Sequence, residues 1–125
     1  MRAHLLQYDI AWEDKPANHA RVRAMVGEAA PAAGDLVVLP EMFDTGFSIN
    51  LEATASDPEA SIGFIRALAA ERSATVVGGV SILGEDGRGR NRAIVAGPAG
   101  EVVATYDKVH PFSFGREGER FDGGS

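Results

Sequence analysis

Apolar and polar residues alternate at the start of the chain. Leu6, Tyr8 and Ile10 share one side of a strand read over residues 4–10. Leu5 lies on the other side, where Gln7 and Asp9 mix polar groups in. That pattern suits a strand at least partly covered on both faces. A polar, turn-like stretch at 12–15 follows. Pro16 suits a helix start, and Val22, Met25, Val26 and Ala29 recur at spacings of three and four. They predict a helix over about 17–30, ended by Pro31 and Gly34. The wholly apolar LVVL at 36–39 predicts a short strand, stopped by Pro40, which has no amide hydrogen to donate. Residues 41–56 show neither period, and a connection of that length usually either works or moves.

Asp57, Pro58 and Glu59 read as an N-cap, a first helical position and a first-turn acid. The helix predicted over 58–71 presents Ile62, Ile65, Leu68 and Ala69 on one side. A β-branched strand at 75–83 contains Gly78 and Gly79, which permit close backbone approach. A glycine-rich turn at 85–90 leads to strands at 93–96 and 102–106, joined by GPAG as a hairpin. Helices between successive strands, then a hairpin, predict a layered α/β domain with a mixed sheet.

Composition narrows the class. With 125 residues and 45% hydrophobic content, the chain can form one sizeable core and is too short for two ordinary domains. A net charge of -6 argues against a nucleic-acid binder, which needs a basic face. Arg88, Arg90 and Arg92 read as a solvated turn and strand start. No apolar run reaches the roughly 18 residues of a membrane span. The opening MRAHLLQYDI reads as a mature cytoplasmic start. There is no cysteine, hence no disulfide or thiolate metal site in these residues.

Three stretches could carry chemistry. In LPEMFDTGFS (39–48), Glu41 follows a buried strand and a proline, where α/β folds line their binding crevices. Gly46 allows a tight turn, and Phe43 and Phe47 can wall a pocket. The alternative is a surface glutamate in a turn. In YDKVHPF (106–112), Lys108 also follows a strand end. Partly desolvated, it could face a developing oxyanion; otherwise it is a snorkelling surface lysine. His110 reads as a structural, hydrogen-bonding histidine. In REGERF (116–121), Glu117 or Glu119 could pair with that lysine, or both could simply be solvated. The histidines lack metal-ligand spacing. GGVSILGEDGRGR lacks the phosphate-loop and dinucleotide signatures, and no GxSxG elbow exists.

LPEMFDTGFS and YDKVHPF together, in this order, resemble the carbon–nitrogen hydrolase (nitrilase) superfamily. The resemblance covers essentially all 125 residues as the N-terminal portion of a single domain. It implies an αββα sandwich and a catalytic set of glutamate, lysine and cysteine, usually helped by a second glutamate. On that likeness Glu41 matches the general base, Lys108 the lysine, and Asn91 a supporting asparagine. Glu119 matches the second glutamate best by its distance from Gly123 and Gly124, with Glu117 the runner-up. The fine grain of PEMFDTGFS and KVHPF is most similar to the omega-amidase-like branch. That branch implies hydrolysis of small amides of 2-oxo acids or dicarboxylic acids, with no metal or organic cofactor, and a homodimer.

The family's cysteine follows the lysine beside a further strand, so it is expected beyond residue 125. The 125 residues alone are expected to be inactive. Neither Ser113 nor Ser125 stands in a recognisable activating arrangement. Other readings are a carbamoylase, aliphatic amidase or nitrilase on the same scaffold, and a non-catalytic interaction module.

Overall fold

The β-branched run at 75–83 forms the longest strand, and the rest of the sheet assembles around it. The computed structural model describes residues 1–112 and 116–124. In chain order the elements are β1 (Ala3–Leu5), α1 (Lys15–Ala29), β2 (Leu36–Val38), α2 (Leu51–Thr54) and α3 (Pro58–Arg72), then β3 (Thr75–Leu83), β4 (Gly89–Ala96), β5 (Val102–Asp107) and α4 (Glu117–Arg120). The sheet order is β1-β2-β3-β4-β5. β1, β2 and β3 are parallel, while β4 runs antiparallel to both β3 and β5. This is the mixed α/β sheet with flanking helices. Among the described residues there is one sheet, so the second sheet of an αββα sandwich is not built by them.

Two consecutive crossovers, β1–α1–β2 and β2–α3–β3, step in the same direction across the sheet. Right-handed crossovers then put both helices on one face. Val22 and Val26 of α1 and Phe64, Ile65 and Leu68 of α3 pack there with Val37, Val76, Val80 and Ile94. The pleat assigns the other face. A Cβ on Gly78 would meet the Ile65 side chain of α3, whereas one on Gly79 would meet the Glu41 backbone. Gly79 therefore faces away from the helices, and with it Ala93 and Tyr106, which stand beside it in register.

Several boundaries differ from those expected. β1 stops at Leu5, because β2 offers only three residues to pair with. The alternation beyond it persists in burial: Leu6 is buried and Tyr8 and Ile10 partly so. Leu5 is 76% exposed, so that face of β1 is not covered. α1 begins at Lys15, capped by the Asp14 carboxylate, which accepts from the Ala17 amide. Ala29 is exposed, and the inner stripe begins instead at Asn18. Asn18 is buried because its amide is satisfied by Ala11, Asp14 and the Asp44 carbonyl. Asp57 precedes α3 without a side-chain capping bond.

The stretch 41–56 is packed rather than loose. Met42, Phe43, Asp44 and Thr45 are buried. Met42, Leu51, Ala55 and Phe121 form a second apolar cluster around α2. No helix among the described residues is long and apolar enough to cross a membrane.

Candidate active site

Strand directions bring the candidate groups together. β2 and β5 run the same way and β4 runs oppositely, so the exits of β2 and β5 and the entry of β4 share one edge of the sheet. Glu41 follows β2, Lys108 follows β5, and Asn91 sits near the start of β4. Two strands separate β2 from β5, yet the side chains meet, because the β2 exit lies down over β3. The Leu39 amide donates to the Val77 carbonyl, the Gly79 amide to that of Pro40, and the Phe43 amide to that of Gly79. Gly79 is the contact point: a Cβ there would lie 2.8 Å from Glu41 Cα and 3.1 Å from the Met42 nitrogen. Met42 then adopts a left-handed backbone (φ 50), and the chain turns with the Gly46 amide donating to the Met42 carbonyl.

The polar groups form a closed network. Lys108 Nζ donates to Glu41 Oε2 at 3.2 Å and to Glu117 Oε2 at 3.1 Å. Asn91 Nδ2 donates to the same Glu41 oxygen and to Glu117 Oε1, both at 3.1 Å. The Phe112 amide donates to Glu117 Oε2 at 3.0 Å. The Lys108 amide donates to the Asn91 carbonyl, fixing those two residues side by side. Lys108 Nζ also lies 5.6 Å from the centre of the Phe47 ring, within reach of a cation–π contact.

Electrostatics follow from these partners. Burial acts to lower the pKa of Lys108, but the hydrogen bonds of Glu117 and Glu41 outweigh it and hold the ammonium above the ordinary lysine value. Burial likewise acts to raise Glu117. The Phe112 amide, Asn91 and Lys108 together reverse that and hold its carboxyl below the usual glutamate range. Glu117 is almost wholly buried, whereas the Glu41 side chain is 54% exposed. Its Oε1 carries no hydrogen bond among the described residues. The site thus has a buried acid whose charged form is favoured and an open one. Beside them lies a cavity of about 180 Å³ lined by Leu39, Glu41, Gly79, Asn91, Tyr106 and Lys108 among others.

The remaining expectations fall unevenly. Glu117, the runner-up, is the acid at Lys108. Glu119 points away and pairs with Arg116 at 3.2 Å, because residues two apart on a helical turn face opposite sides. Phe47 is exposed beside Lys108. Phe43 does not wall the cavity: it is fully buried on the helix side, stacked with Phe64. His110 is exposed and makes no side-chain hydrogen bond among the described residues. Ser113 and Ser125 lie outside the described residues.

The arginines are not simply solvated. Arg88 reaches Asp122 at 2.6 Å and the carbonyls of Gly118, Glu119 and Phe121. Arg92 forms a two-pronged pair with Asp107. Nothing in the spacing GRGRNR signalled either contact, since both partners come from distant segments.

A family model for carbon-nitrogen hydrolase matches residues 2–122. The omega-amidase YafV of Escherichia coli K12 is 31% identical over 126 residues, covering 100% of this chain and 47% of the relative. The omega-amidase YafV of Yersinia enterocolitica is 33% identical over 117 residues, with 94% and 44% covered. The crystal structure of XC1258 from Xanthomonas campestris, a CN-hydrolase superfamily protein with an arsenic adduct in its active site, superposes with a TM-score of 0.86 at 32% identity. It covers 98% of this chain and 46% of that one. The chain spans about half the length of the relatives it matches.

Proposed function

The chain belongs to the carbon–nitrogen hydrolase family, and we propose that it carries the acid–base and oxyanion-binding side chains of an amidase acting on small amides. The observation that supports this most is the shared contact of Lys108 with an open and a buried carboxylate, bridged a second time by Asn91.

In this reading a cysteine thiol from outside the 125 residues attacks the amide carbonyl carbon. Glu41 takes the thiol proton as the carbon–sulfur bond forms. Lys108 faces the carbonyl oxygen and stabilises its negative charge, a donor role worth roughly 3 kcal/mol. The protonated Glu41 then delivers its proton to the nitrogen. The carbon–nitrogen bond breaks, ammonia leaves, and a thioester remains. Water attacks the thioester and Glu41 accepts its proton; the carbon–sulfur bond then breaks, the acid product leaves, and Glu41 returns the proton to the cysteine thiolate, which stays on the protein. Glu117 touches no reacting atom. It keeps Lys108 charged and aimed, while Asn91 orients both carboxylates.

The omega-amidase names of the Escherichia coli and Yersinia relatives support a monoamide of a short dicarboxylic or 2-oxo acid as substrate. In the intact protein, Glu41→Gln is expected to lower ammonia release from such an amide by at least about a hundredfold while leaving the unfolding midpoint close to that of the parent. Parent-like turnover by that variant contradicts the role of Glu41. Assays of ammonia and carbon dioxide over amide, carbamoyl and nitrile substrates separate this reading from a carbamoylase or nitrilase.

A further inference from the structure

A second cavity, of about 330 Å³, is lined by Phe47, Lys108, Phe112, Arg116 and Glu117. Its chemistry differs from that of the first. Phe47 and Phe112 are both exposed, and two cations line the space with one acid. Lys108 is already matched by Glu41 and Glu117 at 3.2 and 3.1 Å. Arg116 takes no part in that network. Its ion pair is with Glu119, and the two side chains are 72% and 55% exposed. So exposed a pair holds weakly, and its guanidinium can exchange one carboxylate for another. A planar fork of N–H donors fits a carboxylate with two parallel bonds. A ligand with its amide oxygen at Lys108 would run past two aromatic rings towards a positive charge.

We propose that Arg116 determines specificity by binding a carboxylate at the end of the substrate remote from the scissile amide, so that the site takes short dicarboxylic monoamides in preference to neutral amides. This rests on the amidase reading for the identity of the reacting group, but the carboxylate site itself does not. Glu119 is then the acid that occupies the guanidinium when no substrate is bound.

The test compares succinamate with butyramide, which has the same chain with a methyl in place of the carboxylate. In the intact protein Arg116→Gln is expected to lower the ratio of kcat/KM for succinamate over butyramide about tenfold, the size of one charge-assisted hydrogen bond. Arg116→Lys should restore part of that ratio. An unchanged ratio in Arg116→Gln overturns the proposal. Succinate, which has no amide to hydrolyse, gives a reading independent of turnover. Calorimetry should show it binding the parent and binding Arg116→Gln about tenfold more weakly. No binding by the parent, or equal binding by both, also overturns it. A protein that binds succinate through Arg116 yet releases no ammonia from either amide keeps the carboxylate site and loses the amidase reading.

Discussion

Two glycines show how much a single side chain decides. Gly79 faces the backbone of Glu41 and Met42, and backbone cannot step aside as a flexible side-chain tip can. Gly79→Ala is expected to destabilise the intact protein by about 1–3 kcal/mol through overpacking and, on the proposed function, to lower turnover because Glu41 moves. Gly63, on α3, has nothing within 4 Å of its missing Cβ. Gly63→Ala should stabilise by up to about 1 kcal/mol. Urea unfolding of the two variants checks both signs, and equal midpoints would contradict the close approach. The glycine pair in a β-branched strand was legible as a point of backbone contact. What touched it was not, since Glu41 lies 38 positions earlier in the chain. The choice between Glu117 and Glu119 was equally hidden. Both lie in one charged hexapeptide, and only the helical turn sends one inward and the other out.

Elements with their own periodicity are legible in the sequence, and elements held by distant partners are not. α3 and β3 carry their pattern internally: an apolar stripe in one, β-branched residues in the other. α4 has four residues and no stripe. Tertiary bonds fix it. Arg88 covers the carbonyls at its far end, and Arg120 reaches back to the Ile49 carbonyl and Glu52. These bonds place Glu117 under Lys108, so on the proposed function Arg88 acts as a positioning residue. Arg88→Gln should lower kcat with little change in KM, and should add almost nothing in a Glu117→Gln background. Residues acting through one another are non-additive, whereas independent effects sum to within about 0.5 kcal/mol. A double-mutant cycle with additive losses would detach Arg88 from the site.

At the scale of the whole molecule, topology does what no local motif can. Among the described residues four strands point one way and one points back, so the ends of β2, β4 and β5 share an edge and residues 41, 91, 108 and 117 converge. α1 and α3 occupy the opposite face, leaving the small residues Gly79 and Ala93 to line the cavity beside Glu41 and Lys108. The order of the five strands, α1 and α3 is visible in the alternation of periods, and so is the mixed sheet, whereas α2 and α4 are not. The strand pairing that brings Asn91 beside Lys108 was not, because register is set by contacts between segments rather than within them.

Lys108 is held charged between Glu41 and Glu117, and its titration reads that out. A lysine whose folded pKa is raised adds stability that is complete below the unfolded value, about 10.4, and lost as pH rises through the folded one. Glu117, with its pKa lowered, adds stability present above its unfolded value and lost as pH falls through the folded one. The pair therefore supports the fold across neutral pH and weakens at both extremes. Nitrogen-15 NMR of the Lys108 ammonium should give a midpoint above that of an ordinary lysine in the parent, and a lower one in Glu117→Gln. A Lys108 midpoint that is the same in both proteins would show that Glu117 does not hold the ammonium charged.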